Sequence, residues 1–175
     1  TGLPAARSSL SLSGLHLFTI GQSRRMTNLM RGEIRGERVA VFDYRYSVQA
    51  GKNRHVRSQT VLCLPLRRPA LPSFALRPER AWHKIGSRLG YQDIDFENHP
   101  GFSGKYLLRG EDEHAIRRLF SDRVVMFFEQ APGWCVEGAG DRLAIYRDRR
   151  LVKPEELGPF VEEGLSVLAY LRPAD

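Results

Sequence analysis

The sequence predicts an α+β domain: a mainly antiparallel sheet of six to seven strands with helices packed on one side. Three observations predict it. Residues 38–48 and 55–64 alternate apolar and polar side chains with period two, as half-buried strands do. Glycine-bearing turn signals, Glu33-Ile34-Arg35-Gly36-Glu37 and Gly138-Ala139-Gly140-Asp141, separate runs rich in β-branched and aromatic residues. At the end of the chain, Phe160, Val161, Leu165, Leu168 and Leu171 recur at helical spacing.

Residues 1–14 show no period and read as a flexible lead-in to a single domain over 15–172. Leu15 to Ile20 reads as a short strand. Met26–Ile34 and Arg38–Val48 form a hairpin. In its second strand Ala40, Phe42, Tyr44, Tyr46 and Val48 share one face, and Asp43, Arg45 and Ser47 the other. A third strand, His55 to Leu64, completes a meander. Arg67 to Pro72 is a turn and Phe74–Leu76 a short strand. Pro78 suits the first position of a helix that stops before Gly90, with Ala81, Trp82, Ile85 and Leu89 as its apolar stripe. Asp93–Phe96 is extended and Lys105–Leu108 a strand. Glu111–Phe120 is a helix with acids in its first turn, and a second helix starts at Ser121 with Val124, Val125 and Phe128 inward. Trp134–Glu137 and Arg142–Arg147 make the second hairpin, and the final helix runs from near Pro159 to Leu171. A pleckstrin-homology-like or other small barrel closed by that helix is the alternative architecture.

Hydrophobic residues make up 42% and charged residues 27% of 175, the composition of a folded domain rather than a disordered tail. Charge is unevenly spread. Residues 1–90 carry a balance of +12 and residues 91–175 one of −5. This implies an anionic partner for the first half, or two halves that face each other. Arg45 and Arg57 on the polar strand faces, with Lys52, Arg54 and His55 at the intervening loop, are the candidate anion-binding residues. Arginine forks suit phosphate or carboxylate groups, so an anionic membrane surface or an acidic protein is the expected partner. Nucleic acid is disfavoured, because Tyr44 and Tyr46 point away from Arg45 and leave no aromatic platform among the charges.

The run Asp93-Ile94-Asp95-Phe96-Glu97-Asn98-His99 is the candidate metal site. If it is extended, Asp93, Asp95, Glu97 and His99 share a face that a hard divalent cation would suit. Same-face neighbours on a strand stand about 7 Å apart, which is wide for shared ligation, so a solvated acidic edge competes with this reading. The other histidines are scattered singly. Strained Gly-x-Ser-x-Gly and Gly-rich phosphate loops are both missing from the sequence, so no cofactor is expected. Cys63 and Cys135 lie in apolar strand contexts and are expected buried, free and in a reducing compartment. No stretch reaches the roughly 18 apolar residues of a membrane helix. The opening Thr1-Gly2-Leu3, without Met, reads as part of a longer protein.

Asn28-Leu29-Met30-Arg31-Gly32-Glu33, Val41-Phe42-Asp43-Tyr44-Arg45-Tyr46, Gln92-Asp93-Ile94-Asp95-Phe96, His99-Pro100-Gly101-Phe102-Ser103 and Tyr106-Leu107-Leu108-Arg109-Gly110-Glu111-Asp112-Glu113 form a pattern. From Leu29 onward it resembles a family of uncharacterised bacterial proteins, without assigned activity, in which such a domain follows one or two predicted membrane helices. The resemblance implies a membrane-tethered protein with this domain, itself soluble, at the cytoplasmic face of the inner membrane. The expected function is a non-catalytic accessory or binding domain contacting an anionic surface. A divalent-metal-dependent enzyme using the acidic row and a nucleic-acid-binding module are the alternatives.

Overall fold

The computed structural model describes residues 10–66, 70–82 and 92–172. Seven strands form one antiparallel sheet in the order β1-β2-β3-β7-β6-β4-β5. They are β1 (Gln22–Ile34), β2 (Glu37–Ala50), β3 (Asn53–Pro65), β4 (Leu71–Pro78), β5 (Tyr106–Gly110), β6 (Trp134–Gly140) and β7 (Arg142–Arg147). β1 and β5 are its free edges, so the sheet is open and the barrel alternative does not hold. The helices are α1 (Glu79–Trp82), α2 (Pro100–Ser103), α3 (Glu113–Leu119), α4 (Asp122–Gln130) and α5 (Leu157–Leu171).

The first hairpin closes as its turn residues dictate. Arg35 and Gly36 both have positive φ, 53° and 77°, which lets the two-residue turn follow the twist of β1 and β2. Strand alternation then sorts the side chains into two cores. On one face Val39, Val41, Leu62, Leu64, Leu76, Val136 and Ile145 meet Phe120, Phe128, Phe160 and Leu168 from the helices. α5 comes close enough that a Cβ on Gly164 would run into Leu62. On the other face Ala40, Phe42, Tyr44, Tyr46, Val61, Cys63 and Tyr146 are covered by the segment running from Leu10 to Ile20.

That segment is a strap, not the expected strand. It carries only a 3₁₀ turn, His16–Thr19, and inserts Leu15, Leu17 and Ile20 into the second core. Leu10 and Leu12, in the expected lead-in, are partly buried against the same core. The Leu17 N–H, which a strand neighbour would have bonded, donates instead to the Glu137 carboxylate at 2.9 Å. The expected extended run at 93–96 is reduced to one bridge, Asp93 to Arg109, before a turn leads into α2. The helix beginning at Glu79 is seen as far as Trp82; Ile85 and Leu89 lie outside the described residues.

Candidate anion-binding face

On the helix-side face of the β1–β3 meander Arg25, Arg45 and Val56 are exposed. Two bulges in β1 set what that face displays. Register slips between Gln22 and Arg25 and between Thr27 and Met30, and Ser23 and Asn28 take positive φ of 52° and 54° at these places. Asn tolerates this conformation, and its Nδ2 donates to Asp43 Oδ2 at 2.8 Å, which fixes the second bulge. Thr60 Oγ1 donates to the other Asp43 oxygen at 2.7 Å. Asp43 is therefore occupied by neutral donors.

Two residues further along, Arg25 stands directly opposite Arg45 in the β1–β2 ladder. Directly paired residues share a face, so two guanidinium groups meet there, both exposed. Ser58 flanks Arg45 on β3. Neither arginine forms an ion pair among the described residues. Like charges directly opposite each other destabilise a ladder, and a bound anion would reverse the sign of that term. The same meander carries exposed apolar side chains: Leu29 at 41%, Met30 at 48% and Val56 at 50% of full accessibility. Leu29 and Met30 also line a groove of about 500 Å³ against Val152, Pro154 and Leu157.

The four residues expected to form the anion site are not brought together. Arg45 lies on the helix-side face with Ser58. Arg57 pairs with Tyr46 in the ladder, lies on the strap side and is only 6% exposed. Lys52 and Arg54 sit at the exposed β2–β3 turn, where Arg54 donates to Ser23 Oγ at 2.6 Å. Arg25 was missed because its face depends on the bulge. Part of the charge asymmetry is internal: Arg35 pairs with Glu162 at 2.8 Å and Arg77 with Glu137, joining the basic and acidic halves.

The acidic row is dispersed as well. Asp93 is bound to Arg109 at 2.5 Å, and His99 Nε2 lies 3.2 Å from Asp122 Oδ1. Arg117 donates to the Asp95 carbonyl at 2.9 Å. Among the described residues no group of three or more His, Cys, Asp or Glu side chains could hold a metal ion. A strand would have aligned these residues; the turn at 97–98 does not.

The densest polar cluster lies under the strap. Arg77 and Glu137, 1% and 0% exposed, form an ion pair. Glu137 also accepts from Tyr146 Oη at 3.0 Å and from the Leu17 N–H. Burial alone would push the Glu137 carboxyl up, but Arg77, the hydrogen bonds and the strap more than offset it, so the group titrates below the usual range. His16 Nδ1 lies 3.2 Å from Arg77 Nη2. Burial and the Arg77 charge push its pKa down to about 4. It is therefore neutral at pH 7, accepting through Nδ1 from a guanidinium that can only donate. One Glu137 oxygen thus holds the strap through Leu17, while the other is bonded within the sheet by Arg77 and Tyr146. Cys63 and Cys135 are both buried and free.

An open antiparallel sheet with helices on one face defines an α+β domain, and this fold has a counterpart among solved structures. The crystal structure of the mycobacterial trehalose monomycolate transport factor A, TtfA, is similar to this chain with a TM-score of 0.60, covering 92% of this chain and 82% of that one at 16% identity. At that identity the likeness is one of fold. No family model and no curated protein matches the chain.

Proposed function

We propose that this chain is a non-catalytic accessory domain of a membrane-tethered bacterial protein, and that its β1–β3 meander docks on the anionic cytoplasmic face of the inner membrane. The opposed pair Arg25 and Arg45 carries the reading. Two exposed guanidinium groups without acidic partners among the described residues, on the same meander as exposed Leu29, Met30 and Val56, combine the charge and the apolar contact that an anionic bilayer surface rewards. Lys52 and Arg54 at the adjoining turn extend the same positive field. The tether in this proposal is the membrane helix that the family resemblance implies; no helix among the described residues is long and apolar enough to cross a membrane. A role in transport, as the name of TtfA states for that protein, fits this arrangement.

Each basic residue near an anionic surface contributes about 1 kcal/mol, so the isolated domain binds weakly and a tether makes the contact useful. Co-sedimentation with phosphatidylglycerol-containing and with zwitterionic vesicles tests this. The Arg25→Ser/Arg45→Ser variant should lose binding at low salt. Arg149→Ser/Arg150→Ser, which removes cations already paired with Asp148 and Glu156, should keep it. Equal binding by both variants would contradict the assignment.

A further inference from the structure

On the opposite, strap-covered face a separate cavity of about 280 Å³ lies between the strap and the start of the meander. Its origin is visible in the register. Ala40 pairs with Cys63 and Cys63 with Ala144, a row of three small side chains where the next row on that face carries Phe42, Val61 and Tyr146. The strap bridges this depression rather than filling it. Leu10 and Leu15 wall the cavity above Ala40 and Cys63. Its size is near the lower end of small-molecule sites, roughly 300 Å³ and upward.

The rim is cationic. Arg31, Arg38 and Arg142 line it, with Asp141 as the acid among the lining residues. Asp141 lies 3.5 Å from Arg142, which accounts for one cation. Arg31 and Arg38 form no ion pair among the described residues, although Glu33 stands opposite Arg38 in the ladder. An apolar slot with two uncommitted guanidinium groups at its mouth selects both a tail and a head.

We propose that this cavity binds a single-chain anionic amphiphile, a fatty acid or a monoalkyl phosphate. The alkyl chain lies on Ala40 and Cys63 beneath Leu10 and Leu15. The carboxylate or phosphate accepts from Arg31 and Arg38, as charge-assisted pairs do. This site is distinct from Arg25 and Arg45, which lie on the other face of the sheet.

The test is a titration of isotope-labelled protein followed by amide chemical shifts, with decanoate, decyl phosphate and decanol as probes. Decanoate or decyl phosphate should give saturable shifts at Leu15, Ala40 and Cys63, and the tighter of the two names the source of the head group. Decanol, lacking the charge, should bind about ten-fold more weakly, the value of one charge-assisted hydrogen bond. Arg31→Gln/Arg38→Gln should weaken the anionic probes by a similar factor and leave decanol unchanged, whereas Arg25→Ser/Arg45→Ser should leave all three unchanged. Ala40→Phe should fill the floor and abolish binding; if that variant does not fold, the arginine variants decide. No saturable shift, equal affinity for decanol and decanoate, or weakening by Arg25→Ser/Arg45→Ser would overturn the proposal.

Discussion

Arg77 and Glu137, 60 residues apart in sequence, form a fully buried ion pair that holds the strap against the sheet. The pair sits between β4 and β6, and its carboxylate takes a further bond from the Leu17 amide and another from Tyr146. Sequence-distant elements thus converge on one charged group.

Breaking that pair from one side should be far worse than removing it. Arg77→Met leaves the Glu137 charge buried and should cost about 3–5 kcal/mol of stability, whereas Arg77→Met/Glu137→Leu should recover much of the loss. Urea unfolding of the two single variants and the double variant measures the coupling directly. Additive losses would show that the two charges do not act as a unit.

Acid should loosen the same region in a defined window. His16 has an ordinary pKa of 6.5, and burial with Arg77, then Arg109, holds it down to about 4 in the fold against the opposing pull of Glu137. Above pH 6.5 both states are neutral at this site and stability is unaffected. As the pH falls from 6.5 towards 4, the unfolded chain gains a proton that the folded chain refuses, so stability drops. Below about 4 this contribution levels, while Glu137, with its carboxyl held below the usual range, begins to cost. Melting temperature against pH should fall between 6.5 and 4 in the native protein, and His16→Gln should flatten that stretch. An unchanged slope in His16→Gln would place the effect elsewhere.

Helix α5 has no room for a side chain where it crosses β3. Gly164→Ala should cost about 1–3 kcal/mol, because the added methyl meets Leu62 in a filled core. Gly164→Ala/Leu62→Val should be less destabilised than the sum of the single changes, since the smaller side chain yields space to the methyl. Strict additivity in denaturant melts would show that the contact is not shared.

The meander and both hairpins were legible because alternation and turn chemistry are local. Ala40, Phe42, Tyr44 and Tyr46 do share one core, and Arg35-Gly36 does make the turn. The candidate anion-binding face was not legible, for a reason one residue long. In an unbulged hairpin closed by Ile34 and Glu37, Arg25 would stand opposite Tyr46, under the strap. The extra residue at Asn28-Leu29 moves it opposite Arg45 and onto the other face. Arg57 shows the converse: its alternation with Val61 and Cys63 already placed it on the apolar side, away from Arg45. The strap read as a strand because Leu15 and Leu17 alternate like one. Its backbone is anchored by Glu137 and not by a ladder, and nothing near Trp134-Cys135-Val136-Glu137 announces that this acid is buried.

The most direct test of the proposed docking reports which surface meets anionic vesicles. Cys63 and Cys135 are buried, and burial pushes both thiols up, so a cysteine introduced at exposed Val56 is the one that labels. Val56→Cys carrying an environment-sensitive fluorophore should shift to shorter wavelength on adding anionic vesicles. The shift should vanish with zwitterionic vesicles and fade as salt shortens the screening length well below about 10 Å. The same probe at Met126→Cys, exposed on α4, should not respond. Equal shifts at both positions, or none at position 56 with anionic vesicles at low salt, would contradict docking through the β1–β3 face.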